Sequence, residues 1–340
     1  MERFAAADVS RLKPTRRSQS ELTFAATALN AALAGRILRR AGTMLMVVAL
    51  LVTQTGLGAE AICSSSDNPP NEPLRLALQP AVDDAFIQAE LSRVGGLMAE
   101  RGELLPRAEL LRHRLPPTLT LPQPATTPCG DAELAAKCQA AVVVVARLAR
   151  LGASNSWVAV PASGFFISTN GAFVTSSHVI HNPDYDGIIV LTGDGRVLPV
   201  RALLADDETN DVAILQATGD AVSALALETA VEAGSRIAVM SHPVGRFFTF
   251  TQGAVTRRSL QHRGTHAQEL LEISAEFGPG SSGAPVVNSR GNVVGWADTL
   301  TVWPGHANRD PGNSPKLNFR ECGVAADVLR LVHPLEVGAK

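Results

Sequence analysis

Residues 278–285 read Gly-Pro-Gly-Ser-Ser-Gly-Ala-Pro, and the apolar pair Val286-Val287 follows at once. A serine set between glycines on a tight loop before a strand is how a nucleophile is presented. Gly280 lets the backbone turn so that its N–H, with that of Ser282, can face a developing oxyanion. Gly283 keeps a side chain out of the substrate's approach. Backbone donors fixed before reaction supply a large share of acyl-transfer catalysis. An isolated octapeptide of this kind is also an ordinary Gly/Ser turn, so its meaning depends on the rest of the chain.

A serine hydroxyl needs a base to take its proton. Of the eight histidines, only His178 follows a strand-like run, Gly171-Ala-Phe-Val-Thr-Ser-Ser177, that would place it at the end of a buried strand. A carboxylate must then fix the imidazole tautomer and stabilise the imidazolium. Asp211 directly precedes the alternating stretch Val212–Leu215 and so stands at a strand mouth. Asp206 and Asp207 lie in a polar stretch and read as solvent-facing. The expected catalytic residues are His178, Asp211 and Ser282, with the backbone N–H groups of Gly280 and Ser282 as the oxyanion hole.

In that order, Thr175-Ser-Ser-His178, Asn210-Asp211-Val-Ala and Gly280-Ser-Ser282-Gly-Ala-Pro resemble the three catalytic blocks of trypsin-like serine proteases, most closely the HtrA/Deg branch. Ser163-Gly164-Phe165 resembles the entry to that family's first barrel. Ser241-His242-Pro243-Val-Gly245 resembles its Gly-x-Pro-x-Gly turn, and Gly291-Asn-Val-Val-Gly295 the strand after the nucleophile. The resemblance covers roughly residues 140–332. It implies an all-β, chymotrypsin-like pair of six-stranded barrels with the triad in the cleft between them. It also implies hydrolysis of polypeptides through an acyl-enzyme, with no cofactor and no metal. By the same resemblance Glu276, Phe277, Trp296, Asp298 and Leu300 line the substrate pocket. Phe277 and Trp296 favour small or medium aliphatic side chains, Glu276 could favour Lys or Arg, and glutamyl endopeptidases share the Gly-x-Ser-Gly-x-Pro block. Ser281 stands where digestive relatives have an aspartate, which argues against activation by a buried new N-terminus. The stretch after Ser282 can finish a second barrel but falls short of a further domain of about 100 residues, so a C-terminal PDZ module is not expected.

Local signals agree with an all-β core. Asn170-Gly171, Asp194-Gly195 and Gly291-Asn292 sit between apolar runs and read as hairpin turns. Short strands are expected at Phe165–Ser168, Phe173–Thr175, Ile188–Leu191, Val197–Arg201, Val212–Leu215, Arg236–Met240, Gly253–Arg257, Leu270–Ser274 and Val286–Val287. Their close spacing leaves no room for helical crossovers. A closing helix is expected near Asp327.

The N-terminal part is of another kind. Residues 41–59 carry no charge, Arg36, Arg39 and Arg40 precede them, and Ala59-Glu-Ala61 follows as a small-x-small site. That is the grammar of a secretory signal, so residues 1–61 are expected to be a leader and the protein periplasmic or secreted. Uncleaved, the segment would be a membrane anchor, and a start at Met44 would shorten the leader. Residues 62–128 follow as a helical and Pro-rich linker region. Its apolar Phe86, Ile87, Leu91, Val94, Leu97 and Met98 recur at helical spacing over Val82–Leu111. Such a helix could pack on the barrel, self-associate as part of a homo-oligomer, or cover the cleft as a prosegment. The protease domain is placed at 129–340.

Residues 62–340 carry 22 basic and 28 acidic side chains. No basic stripe remains to track phosphates, which excludes nucleic-acid binding. Cys63, Cys129, Cys138 and Cys322 all follow the leader. Their even number in an exported chain points to disulfides, Cys129–Cys138 closing a short loop, with four reduced thiols as the alternative. Two function classes stand at this point: a serine endopeptidase acting on unfolded or damaged protein, and a catalytically silent trypsin-fold interaction protein.

Overall fold

The structure, a computed structural model, describes residues 74–75, 81–112, 119–150, 156–219, 222–263, 266–303 and 317–337. The leader, Cys63 and the Ser64–Pro70 entry lie outside the described residues. In chain order the elements are β1 (Leu74–Arg75), α1 (Asp84–Glu100), α2 (Arg107–Leu110), α3 (Asp131–Ala141), β2 (Val142–Arg150), β3 (Trp157–Phe166), β4 (Ala172–Thr175) and α4 (Ser177–His181). There follow β5 (Gly187–Thr192), β6 (Arg196–Asp207), β7 (Val212–Ala217), β8 (Arg236–Ser241), β9 (Thr249–Arg263) and β10 (His266–Ile273). The last are β11 (Pro285–Asn288), β12 (Val293–Trp303), β13 (Leu317–Val324) and α5 (Ala325–Val337).

Strands β6-β5-β2-β3-β4-β7 form one sheet, and pairing of β6 with β7 closes it into a ring, with β1 added outside β6. Strands β10-β13-β12-β11-β8-β9 form a second closed barrel. This is the double six-stranded β-barrel that the sequence implied. Asn170-Gly171 joins β3 to β4, Asp194-Gly195 joins β5 to β6, and Gly291-Asn292 joins β11 to β12, each where a hairpin was expected.

Strand β2 was not anticipated, and its burial explains why. Val143 and Val145 fill the first barrel, while Val144, Ala146 and Leu148 face outward and are covered by α1. A strand buried on both faces loses the apolar–polar alternation that marks most strands. The expected helical stretch is broken into α1 and α2. Helix α1 is capped by Asp83, whose carboxylate accepts the Phe86 N–H at 3.0 Å. Its buried Ile87, Leu91, Val94 and Met98 lie on the face that covers β2 and β3. Gly95 allows that approach: a Cβ there would stand 2.7 Å from Leu148 Cδ1. Polar contacts fix the seat, with Gln88 Nε2 donating to Ala159 O at 2.6 Å and the Ala159 N–H donating to Ser92 Oγ at 3.0 Å. Of the three roles open to this helix, packing on the barrel is the one observed.

The described end of the Pro-rich stretch is also seated. Ala125 and Asn292 exchange two hydrogen bonds, at 2.9 and 2.8 Å, and Leu119 and Leu121 pack against the main core. That core lies between the barrels and joins Phe165, Ile167 and Val174 to Met240, Val287 and Trp296, closed by Leu134 of α3 and Val328 of α5. No described helix is long and apolar enough to cross a membrane. The described cysteines correct the disulfide expectation: Cys129, Cys138 and Cys322 are free thiols. Burial, with Cys129 adding to it, pushes Cys138 up to about 12.

Candidate active site

His178 stands in α4, one short helix beyond the end of β4, rather than on the strand itself. Asp211 closes the turn into β7 with a φ of 55°, a left-handed conformation that Asp and Asn tolerate better than most residues. The pairing is bidentate: one Asp211 oxygen accepts the His178 backbone N–H at 2.8 Å, and the other meets Nδ1 at 2.7 Å. An Nδ1 held this way leaves Nε2 as the basic nitrogen. Burial pulls the His178 pKa down, but the hydrogen bond and charge of Asp211, with Asp298 behind it, outweigh burial and Arg147 and hold it above the usual value. Burial pushes Asp211 up, and the bond and charge of His178 bring it below the usual carboxylate value.

The neighbouring turn locks Asp211 across the barrels. Asn210 reaches back to Asp207, its Oδ1 meets His266 Nε2 at 3.1 Å, and Gln268 Nε2 donates to its carbonyl at 3.2 Å. Asp207 also accepts the N–H groups of Thr209 and Asn210. Asp206 departs from the solvent-facing reading. It accepts from Ser177 Oγ at 2.6 Å and meets His181 Nε2 at 2.7 Å, with its side chain 9% exposed. A short helix thus carries two imidazole–carboxylate pairs, His178–Asp211 and His181–Asp206.

The loop of Ser282 docks on the first barrel. The Ser163 N–H donates to Ser282 O at 3.1 Å, and Ser163 Oγ donates to Gly280 O at 2.9 Å. Thr175 Oγ1 in turn donates to Ser163 O at 2.8 Å, tying the loop to the strand that leads into His178. Gly283, with a φ of 86°, packs where a Cβ would lie 2.8 Å from the Ser176 nitrogen. Gly280 has a φ of 96°. Ser281, fully buried, donates to Ser241 Oγ at 2.9 Å and accepts from the Gly278 N–H. The remaining amides fall into two groups. Ser281, Gly283 and Ala284 donate to Gly278 O, Ala297 O and Ser281 O, whereas Gly280 and Ser282 donate to nothing among the described residues. His242, beneath the loop, accepts the Phe248 N–H on Nδ1, and burial pushes it down to about 4, so it is neutral.

The five expected pocket residues are distributed differently. Trp296 is fully buried in the core between the barrels, and Phe277 belongs to the interior of the second barrel. Both correct the pocket-lining reading, because an apolar ring gains more from a packed core than from an open wall. Glu276 points outward and pairs with Arg320. Leu300 is partly buried against the second barrel. Asp298 faces Asp211, with one carboxylate oxygen from each, and a ring nitrogen of His178, all within 4.8 Å of one another. Sequence reading missed this contact, although an acid within the apolar stretch Val-Val-Gly-Trp-Ala-Asp was its signal.

Comparison with known proteins matches residues 162–295 to the trypsin-like peptidase domain family. The uncharacterized protein y4bJ of Sinorhizobium fredii is 33% identical over 137 residues, 39% of this chain and 21% of that protein. The mitochondrial serine protease HTRA2 of Drosophila pseudoobscura pseudoobscura is 32% identical over 140 residues, 39% of this chain and 32% of that protein. Its counterpart in Drosophila ananassae is 31% identical over the same share of this chain. The matched region thus spans between a fifth and a third of these relatives' length.

Proposed function

We propose that this protein is a trypsin-like serine endopeptidase of the HtrA branch working through His178, Asp211 and Ser282, a reading supported by the match of residues 162–295 to the trypsin-like peptidase domain family and by the similarity to HTRA2. Ser282 Oγ attacks the scissile carbonyl carbon while His178 Nε2 takes the hydroxyl proton, since Nδ1 is engaged by Asp211. The carbonyl oxygen becomes an oxyanion, and the Gly280 and Ser282 amides receive it. Collapse breaks the C–N bond, His178 returns the proton to the leaving amine, and the acyl group stays on Ser282. Water, deprotonated by His178, then releases the acid and restores the hydroxyl.

The observation that carries this reading is the selective idleness of two amides. In a loop whose other N–H groups are hydrogen-bonded, those of Gly280 and Ser282 have no partner among the described residues, which leaves two half-buried donors ready for a developing negative charge. Unfolded or damaged polypeptides are the proposed substrates. Export after removal of residues 1–61 completes the proposal. Labelling by a fluorophosphonate probe tests it: the purified protein should label and cleave casein, and folded Ser282→Ala should do neither. Absence of labelling in the folded wild type would leave the chain as a silent interaction protein.

A further inference from the structure

The contact behind the triad calls for its own explanation. Strand β12 pairs with β13 through Ala297↔Cys322 and then Thr299↔Glu321, so Asp298 is the extra residue of a β-bulge. A bulge breaks the in–out alternation and re-aims one side chain. Here it turns Asp298 toward the Asp211 carboxylate, one oxygen of each lying within 4.8 Å of the other. Two carboxylates in such contact repel unless one proton lies between them. Asp211 also accepts two hydrogen bonds from His178, so the proton resides on Asp298.

We propose that Asp298 is a positioning residue for the protease reaction, its carboxyl O–H donating to Asp211 and holding that carboxylate square to His178. This rests on the endopeptidase reading above. The bulge makes the contact specific, since either residue in register, Ala297 or Thr299, would present a different face. Thr299 Oγ1 donates to Asp298 Oδ1 at 3.1 Å, leaving the other oxygen for the proton. The charged and titratable groups around Asp298 are few. His178 of α4 and Asp211 at the entry to β7 act on it directly. Cys322 of β13 meets its backbone, Glu321 acts on that thiol, and Arg147 of β2 opposes the charging of His178. Burial, then the Asp211 charge and hydrogen bond, push Asp298 up to about 7, with His178 pulling the other way. His178, held above its usual value, and Asp298, pushed up, act on each other directly and titrate as a pair.

Two variants and two measurements test the proposal. Asp298→Asn keeps a donor toward Asp211 and removes the titration, whereas Asp298→Leu removes both. The first measurement, NMR titration of the His178 imidazole, needs no catalysis. Wild type should titrate in two steps, and Asp298→Asn in one, with its midpoint at lower pH. The second is kcat and KM on a peptide substrate. Asp298→Asn should keep kcat within a few-fold, and folded Asp298→Leu should lose kcat on the order of 10-fold, the scale of one hydrogen bond to a charged group, with KM unchanged. A wild type that neither labels nor turns over, yet shows the two-step titration, would sink the endopeptidase reading and leave the carboxyl pair standing. Identical His178 titrations in wild type and Asp298→Asn, or equal kcat for the Asn and Leu variants, would overturn the role given to Asp298.

Discussion

Gly283→Ala is a sharp test of how the nucleophile is held. A Cβ at this position would lie 2.6 Å from Thr175 Oγ1 and 2.8 Å from the Ser176 nitrogen, and against Ser163 O as well. Comfortable van der Waals separation is about 3.5 Å, so the loop must back away by close to 1 Å. The carbonyl and the amide belong to β3 and to the lead-in of α4, which are themselves paired and cannot yield cheaply. The φ of 86° adds strain for any L side chain, on the order of 1–2 kcal/mol, and overpacking adds about 1–3 kcal/mol. A displacement of this size at the residue after Ser282 shifts the proposed nucleophile relative to its proposed base, and misplacement by about 1 Å can cost on the order of 10²-fold in rate. Gly283→Ala is therefore expected to lower kcat/KM about 100-fold and stability by about 2–5 kcal/mol. Urea unfolding would measure the second quantity, and the fluorophosphonate labelling rate of the folded fraction the first. Labelling at the wild-type rate would refute the claim that this glycine sets the position of the nucleophile.

Asp211→Asn keeps the shape but favours the wrong imidazole tautomer, and turnover should fall by about 10⁴, as an equivalent change does in another triad protease. Asp206→Asn is expected to lose no more than about 10-fold in kcat/KM and about 1.5–3 kcal/mol in stability, because its oxygens brace Ser177 and His181 rather than His178; kinetics and thermal unfolding of the two variants, side by side, decide between them. The acid limb of the kcat/KM profile should lie above 6.5, the unperturbed imidazole value. The sign follows from the base having to be neutral, since a raised His178 pKa keeps the ring protonated to higher pH. A limb at or below 6.5 would contradict the coupling to Asp211.

Much of the site could be read from residues whose role is local. The Gly-rich loop, the serine within it and an aspartate before an alternating strand each carry their meaning in a few neighbours. Hairpins at Asn170-Gly171, Asp194-Gly195 and Gly291-Asn292 were legible for the same reason. What escaped depends on partners far along the chain. Strand β2 looks featureless because α1 covers its second face, and Trp296 looks like a pocket wall until the core between the barrels is assembled. Asp206 reads as solvated until His181 is seen to turn toward it. Asp298 was placed in the pocket by resemblance, and its contact with Asp211 depends on a bulge that strand alternation cannot reveal.

The seating of α1 has a consequence for how the chain matures. Its fastenings reach far downstream: Ser92 and Gln88 to Ala159, Asp84 to the Phe247 N–H, and Ala125 beyond the helix to Asn292. Asp84 must wait for a residue 163 positions later, roughly 10–30 s at ribosomal speeds of about 5–20 residues per second. Ile87, Leu91, Val94 and Met98 meanwhile have nothing to cover until β2 and β3 have been made and paired. Long-range closures of this kind are slow relative to local pairing, so the segment synthesised first is secured last. The nascent chain therefore presents an adhesive apolar strip until the first barrel exists to receive it.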